Sequence, residues 1–313
     1  MKGEKCPKPR IYRIRFAVRL VQLFATVNRH IFCEMANWKE KENKMSKISI
    51  RDVTYENIED LCSVCIPPDK RNDPKFIAGI EEKREWAIEM LRLWDAFAKL
   101  AYEESAVVGF IQYEPVLKEG VVRIHCIYVP EEEHWRKGIA RQLVSGLLEE
   151  MKKPKAWFNN QPVLALVTKT FPGEKPGQYP AHSFFIKEGF KQAGEDPDLL
   201  YYPLKEGFVY QPLEEKEVEY ISQEEDKGKG LIIYGPSFCP FAYAFLKMTE
   251  QAIKEIAPGI PIRWIDKSKE PEEVKKRGYF EGCVVNAKPI MSFTDLRTRD
   301  RTRTCKKGRK PHN

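Results

Sequence analysis

The segment "HWRKGIARQLVSGLL", His134 to Leu148, sets Arg136, Lys137 and Arg141 around Gly138 and Ala140 where a loop turns into an apolar-striped helix. The first N–H groups of a helix have no intrahelical acceptor, and the helix dipole draws negative charge to that end. Small residues there let a bulky anion reach the backbone, so the pattern fits a phosphate-bearing ligand held by main-chain amides. An ordinary helix start has the same residue types, so charge and spacing alone leave both readings open. His125 and Glu131, just before the loop, are candidate bases for an amine; a packed strand histidine and a solvated "EEEH" loop are the competing readings. A third candidate lies far along the chain in "YGPSFCPFAYAFLK", where Cys239 follows a strand and opens a helix. That position favours a thiolate, although a bystander cysteine fits it as well.

The remaining cysteines point away from metal chemistry. Cys62 and Cys65 form one CxxC pair in "LCSVC", and no second Cys or His pair stands nearby. A structural zinc takes four ligands, so no metal is expected. Eight cysteines spread over positions 6 to 305 make no dense disulfide framework and indicate a reducing cytoplasm.

The pattern around these residues is mixed α/β (α+β). "KISIRDVT" alternates as a strand, and 79–95 places Ile80, Ala87, Met90, Leu91 and Trp94 at helical spacing. "FAKLAYEE" and "AVVGFIQYEPV" read as an antiparallel hairpin, and "VVRIHCIYVP" is a β-prone strand stopped by Pro130. After the loop, Ile139, Leu143, Leu147, Leu148 and Met151 mark one helical face. "VLALVT", "AHSFFIKEGF" and "LLYYPL" then read as strand, helix and strand. Residues 206–229 are rich in Glu and Lys and are expected to form a surface connection. A second α/β unit follows: strand "GLIIYG", a helix after Pro240, strand "IPIRWID", helix "EPEEVKKRG" and hairpin "CVVNAKPI".

The net charge of +7 sits at the ends of the chain. Residues 1–44 and 297–313 each carry +7, which leaves −7 for 45–296. The C-terminal run has almost nothing apolar to bury and is expected to be a disordered tail, able to meet nucleic acid only nonspecifically. The apolar stretch within 15–32 is broken by Arg19 and Arg29 and is too short and charged for a membrane span. No clear cleavage site follows it, so neither a transmembrane segment nor a secretory signal is expected. The domains expected are a weakly structured extension 1–44, a domain 45–205 opening at Met45, a linker 206–229, a small domain 230–296 and the tail 297–313.

Trp135-Arg136-Lys137-Gly138-Ile139-Ala140 resembles the R/Q-x-x-G-x-G/A motif of the GNAT family of N-acetyltransferases, which grips the pyrophosphate of acetyl-CoA. "VVGFIQYEPV" is similar to the family's central strand pair and "AHSFFIKEGF" to its late helix, so the resemblance covers about 46–205. It implies acetyl-CoA as donor, an amine of a small molecule or peptide as acceptor, and direct attack. It also implies that Arg136 to Arg141, including Lys137, Gly138, Ile139 and Ala140, cradle the diphosphate while Ile127, Tyr128 and Val129 hold the pantetheine arm. Trp135 replaces the leading Arg/Gln of the motif, and Phe185 stands where many members carry a proton-donating tyrosine, which leaves Tyr128, Tyr179 or water for that task. Residues 230–291 resemble the thioredoxin-like YoaP-type domain found behind some acetyltransferases; Ala242 stands where a dithiol site has its second cysteine, so one thiol, Cys239, is implied. The alternative is a thiol-redox or ligand-binding protein using Cys239, with the GNAT-like half acting as an acyl-CoA sensor.

Overall fold

A computed structural model of the chain describes residues 48–170, 177–213, 219–235 and 238–290. All of these but Ile48 lie in one compact unit, Ser49–Asn313. The expectations for 1–44 and 297–313 fall outside the described residues.

The chain begins with β1 (Ile48–Asp52), a short helix α1 (Ile58–Ser63) and a long helix α2 (Pro74–Trp94). Helix α2 starts five residues before the apolar spacing implies, because Asp73 caps it by accepting from Lys75 N at 3.0 Å and Pro74 fits the first turn. Its buried stripe is Gly79, Lys83, Trp86, Ala87 and Leu91. The expected hairpin follows as β2 (Ala98–Glu103) and β3 (Ala106–Val116), with Glu104 at φ 57° in the turn. Then come β4 (Val121–Tyr128), α3 (Ile139–Met151), β5 (Ala165–Lys169), α4 (Ala181–Lys187), β6 (Lys191–Gln192) and β7 (Leu199–Pro203).

These strands form a seven-stranded mixed sheet in the order β1-β2-β3-β4-β5-β7-β6. The pairs β2–β3, β3–β4, β5–β7 and β7–β6 are antiparallel, while β4–β5 is parallel. Helix α2 helps cover one core, where Trp86, Ala87 and Leu91 meet Phe97, Leu100 and Phe110. Helix α3 buries Ile139, Leu143, Val144, Leu147 and Met151.

A second sheet has the order β11-β10-β8-β9, built from β8 (Gly230–Tyr234), β9 (Ile262–Asp266), β10 (Gly282–Val285) and β11 (Lys288–Ile290). Strands β8 and β9 are parallel, and β10 runs antiparallel to both β8 and β11. Helices α5 (Pro240–Ile256) and α6 (Pro271–Lys276) follow β8 and β9 in turn. The charged stretch before β8 is not solvated throughout. Asp226 is buried, bonds the Arg277 guanidinium at 2.6 and 2.9 Å and accepts from the Tyr220 hydroxyl at 2.5 Å, so residues 220–226 pack onto the second unit.

Candidate active site

The loop before α3 is held at two points. The His134 imidazole lies 2.9 Å from Glu103 of β2, and the Trp135 indole N–H donates to the Val129 carbonyl at 2.9 Å. Trp135, the departure from the acetyltransferase motif, therefore ties the loop to the end of β4. Beyond it, Arg136 and Gly138 hold positive φ of 63° and 78°, and Gly138 is the N-cap residue of α3. Glycine accepts that conformation without cost, whereas Arg136 is strained there, which is a hint of function. The first helical bond runs from Gln142 N to Gly138 O at 3.0 Å, leaving the amides of Ile139, Ala140 and Arg141 without helical acceptors. A Cβ built on Gly138 meets no atom within 4 Å, so the space beside this residue is open. Arg136 and Lys137 are exposed beside them, while Arg141 gives its Nε to Glu188 at 2.9 Å.

Strand β4 delivers the second half of the site. Its parallel ladder with β5 ends at Ile124 opposite Thr168, so Ile127 and Tyr128 pair only with β3, at Ile111 and Phe110. The β5 side of β4 beyond Ile124 therefore has no strand partner among the described residues, and it is there that the expected pantetheine arm would bond. Gly109 makes the close approach to β3 workable, since a Cβ there would sit 3.1 Å from the Tyr128 carbonyl oxygen and 3.3 Å from Ile139.

The register also shifts within this pair. Gln112 faces Cys126 but Tyr113 faces Ile124, which makes His125 the extra residue of a β-bulge. A bulge re-aims its side chain, and His125 stacks on Phe238 of the second unit at 4.6 Å between ring centres. Its Nε2 lies 3.0 Å from Glu114 Oε1, an ion-pair contact without hydrogen-bond alignment. Burial pushes the Glu114 carboxyl up, but His125 and Arg123 more than offset it and hold the group below the usual carboxylate range. His125 is thus partly covered by the second unit, with 14% of its side chain left exposed.

Other sequence candidates fall elsewhere. Glu131 is exposed at the start of the loop, and Tyr128 is half-buried with its ring 6.5 Å from Phe110. Tyr179 is exposed. Phe185 is buried against Phe184 and Phe190, so no proton donor stands at that position. Cys239 is the extended N-cap residue of α5 and comes close enough to Cys65 and Cys126 to raise both thiols. Burial is the larger cause in each, carrying Cys126 to about 12. Cys62, also buried, is pushed up to about 11. Among the described residues no group of three His, Cys, Asp or Glu side chains is placed to hold a metal ion, and no helix is long and apolar enough to cross a membrane.

Sequence reasoning missed Trp86, Gln112, Lys83 and Phe238. Lys83 is buried, donates to the Leu61 carbonyl at the end of α1 at 2.8 Å and lies 4.5 Å from the centre of the Phe110 ring. Its signal in the sequence was a lysine on the apolar face of α2.

Residues 63–171 match the family model described as "Acetyltransferase (GNAT) family". No curated protein matches the chain. Among solved structures, the chain is similar to the PaiA N-acetyltransferase of Thermoplasma acidophilum in complex with coenzyme A, at 19% identity over 50% of this chain and 97% of that one, with a TM-score of 0.35. It is similar to an N-acetyltransferase from Staphylococcus aureus Mu50 at 20% identity, covering 51% and 100%, with a TM-score of 0.36. It is also similar to the ribosomal-protein-S18-alanine N-acetyltransferase of Escherichia coli at 12% identity, covering 52% and 100%, with a TM-score of 0.35.

Proposed function

We propose that this chain, which carries a GNAT acetyltransferase domain, transfers an acetyl group from acetyl-CoA to an amine of a small molecule or peptide in the cytoplasm. The observation that carries this reading is Gly138 at φ 78°, opening α3 with the amides of Ile139, Ala140 and Arg141 unbonded by the helix, inside the segment that matches the family. Those amides and the exposed Arg136 and Lys137 hold the diphosphate of the donor. The backbone of Ile127, Tyr128 and Val129 holds its pantetheine arm beyond the last β4–β5 pair. The Val129 carbonyl already accepts from Trp135, and its second lone pair remains for the donor.

The amine attacks the thioester carbonyl directly. A carbon–nitrogen bond forms, the carbon–sulfur bond breaks, the amine gives up one proton and the departing thiolate takes one. Holding both reactants in line supplies most of the acceleration, up to about 7–11 kcal/mol in ideal cases. His125, set by Glu114, receives the proton from the amine, directly or through one water. The thiolate takes its proton from Tyr128, Tyr179 or water, because Phe185 has none to give.

Calorimetry on the full chain tests the reading. Acetyl-CoA is expected to bind one to one, Gly138→Glu to abolish binding through bulk and like charge, and Cys239→Ala to leave it intact. Equal losses from the two substitutions, or no heat with the wild type, overturn it. For the second unit we propose the thioredoxin-like YoaP-type reading, supported by its parallel β8–β9 pair, the helix after each and the closing antiparallel hairpin. The approach of Cys239 to Cys65 and Cys126 favours a thiol-linked role as the second reading, which a low-pH alkylation profile of Cys239 without amine transfer supports.

A further inference from the structure

The turn into α3 is held in an unfavourable shape from outside itself. Between Trp135, whose amide donates to Glu132 O, and Gln142, whose amide donates to Gly138 O, no amide donates to a main-chain acceptor among the described residues. Arg136 nevertheless stands at φ 63°, a conformation that a non-glycine residue keeps only where its surroundings impose it. The two residues before it supply the constraint. His134 is 8% exposed, and its Nε2 lies 2.9 Å from Glu103 Oε2 of β2, while its Nδ1 bonds no partner among the described residues. Glu103 is thus the hydrogen-bond anchor of this ring. Trp135 is extended, at φ −67° and ψ 147°, and its indole N–H donates to Val129 O at 2.9 Å. Its ring also lies beside Gly177, where an added Cβ would be 3.7 Å from Cζ3.

We propose that His134 and Trp135 are positioning residues for the acetyl donor: they preset the turn at Arg136, so that the amides opening α3 are clear for the diphosphate before the donor arrives. This rests on the acetyltransferase reading and adds how the loop of that site is held. Trp135 stands where the motif has Arg or Gln, and an indole brings no charge to a diphosphate. It acts through the backbone it ties to Val129. Without either anchor Arg136 relaxes towards negative φ, and the turn before Ile139, Ala140 and Arg141 has to be ordered again each time the donor binds. Ordering a loop on binding weakens affinity, whereas a preset loop avoids that loss. The pantetheine arm is less exposed to the change, because β3 holds Ile127 and Tyr128 at Ile111 and Phe110 independently of the loop.

Calorimetry on the full chain tests this with two donors, acetyl-CoA and acetyl-pantetheine, which has the arm and the thioester but no phosphate. Trp135→Phe keeps a ring beside Gly177 and deletes the N–H. It is expected to raise the acetyl-CoA Kd about tenfold, the usual worth of one hydrogen bond, and to leave the acetyl-pantetheine Kd within about twofold. His134→Phe is expected to do the same. Unaltered acetyl-pantetheine binding also shows that each variant is folded. The second measurement separates a preset turn from a general structural role. Glycine accepts positive φ freely, so in an Arg136→Gly background the Trp135→Phe step is expected to cost acetyl-CoA affinity less than about threefold. Unchanged acetyl-CoA affinity in Trp135→Phe, equal losses for the two donors, or the same fold-loss in both backgrounds overturns the proposal and leaves the transferase reading standing. No heat with acetyl-CoA in the wild type overturns both.

Discussion

At the scale of single residues, the pairing of His125 with Glu114 decides whether a base is available on β4. Glu114 is held below the usual carboxylate range: burial raises it, and the imidazole beside it, with Arg123, lowers it further than burial raises it. A carboxylate whose folded-state value is depressed adds stability that is fully present above its unfolded value and fades as pH falls through the folded one. Glu114→Gln is therefore expected to destabilise the protein near neutral pH, and the gap to the wild type is expected to close as pH drops from about 5 towards 3. Denaturant melts of both proteins across that range check the sign, and a gap that widens on acidification contradicts the pairing. The same substitution removes the group that orients the imidazole, so the pH profile of amine transfer should lose rate at neutral pH more than it loses acetyl-CoA affinity.

Element geometry explains which parts of the site a sequence can disclose. The loop and α3 were legible because their signals are local: two small residues, a basic cluster and a 3.6-residue apolar stripe within Trp135–Met151. The strand order around β4 followed from hydrophobic alternation and turn residues. The orientation of His125 did not, because strict alternation along β4 puts His125 and Cys126 on opposite faces, and only the bulge brings His125 round to Phe238. A bulge has no composition of its own here, and Phe238 lies more than 100 residues from β4 in the chain. Asp226 shows the same limit: nothing local in the charged stretch announces that Arg277, completely buried, bonds its carboxylate, which also accepts from Tyr220. Turn chemistry in the second unit gives a test at this scale. The β10–β11 hairpin turns on Asn286 and Ala287, both at positive φ, 50° and 57°. Asparagine tolerates that region and alanine does not, so Ala287→Gly is expected to stabilise the protein by about 0.5–1 kcal/mol, read as a higher denaturation midpoint with an unchanged slope.

Across the whole molecule, the second unit is joined to the first by packing too close to admit a methyl group. A Cβ on Gly79 of α2 would lie 2.8 Å from the Pro240 carbonyl oxygen and 2.9 Å from its Cα, both backbone atoms with no rotamer to yield. Phe76 against Phe241, at 5.1 Å edge to face, and Trp86 against Phe238 continue the contact along α2 and the start of α5. The Lys269–Glu85 ion pair spans the same junction at 3.0 Å, but both side chains are mostly exposed and the pair adds little. Two effects compete in Gly79→Ala. Alanine gains about 1 kcal/mol of helix propensity, and overpacking against fixed backbone costs about 1–3 kcal/mol. The clash is expected to win, so the variant should unfold at lower denaturant and alkylate at Cys239 faster than the wild type. Its acetyl-CoA affinity should stay within about twofold, since the loop at Gly138 is anchored by Glu103 and Val129, not by the second unit. A Gly79→Ala protein that is more stable than the wild type, with Cys239 no more reactive, would show that the two units do not bear on each other at Pro240.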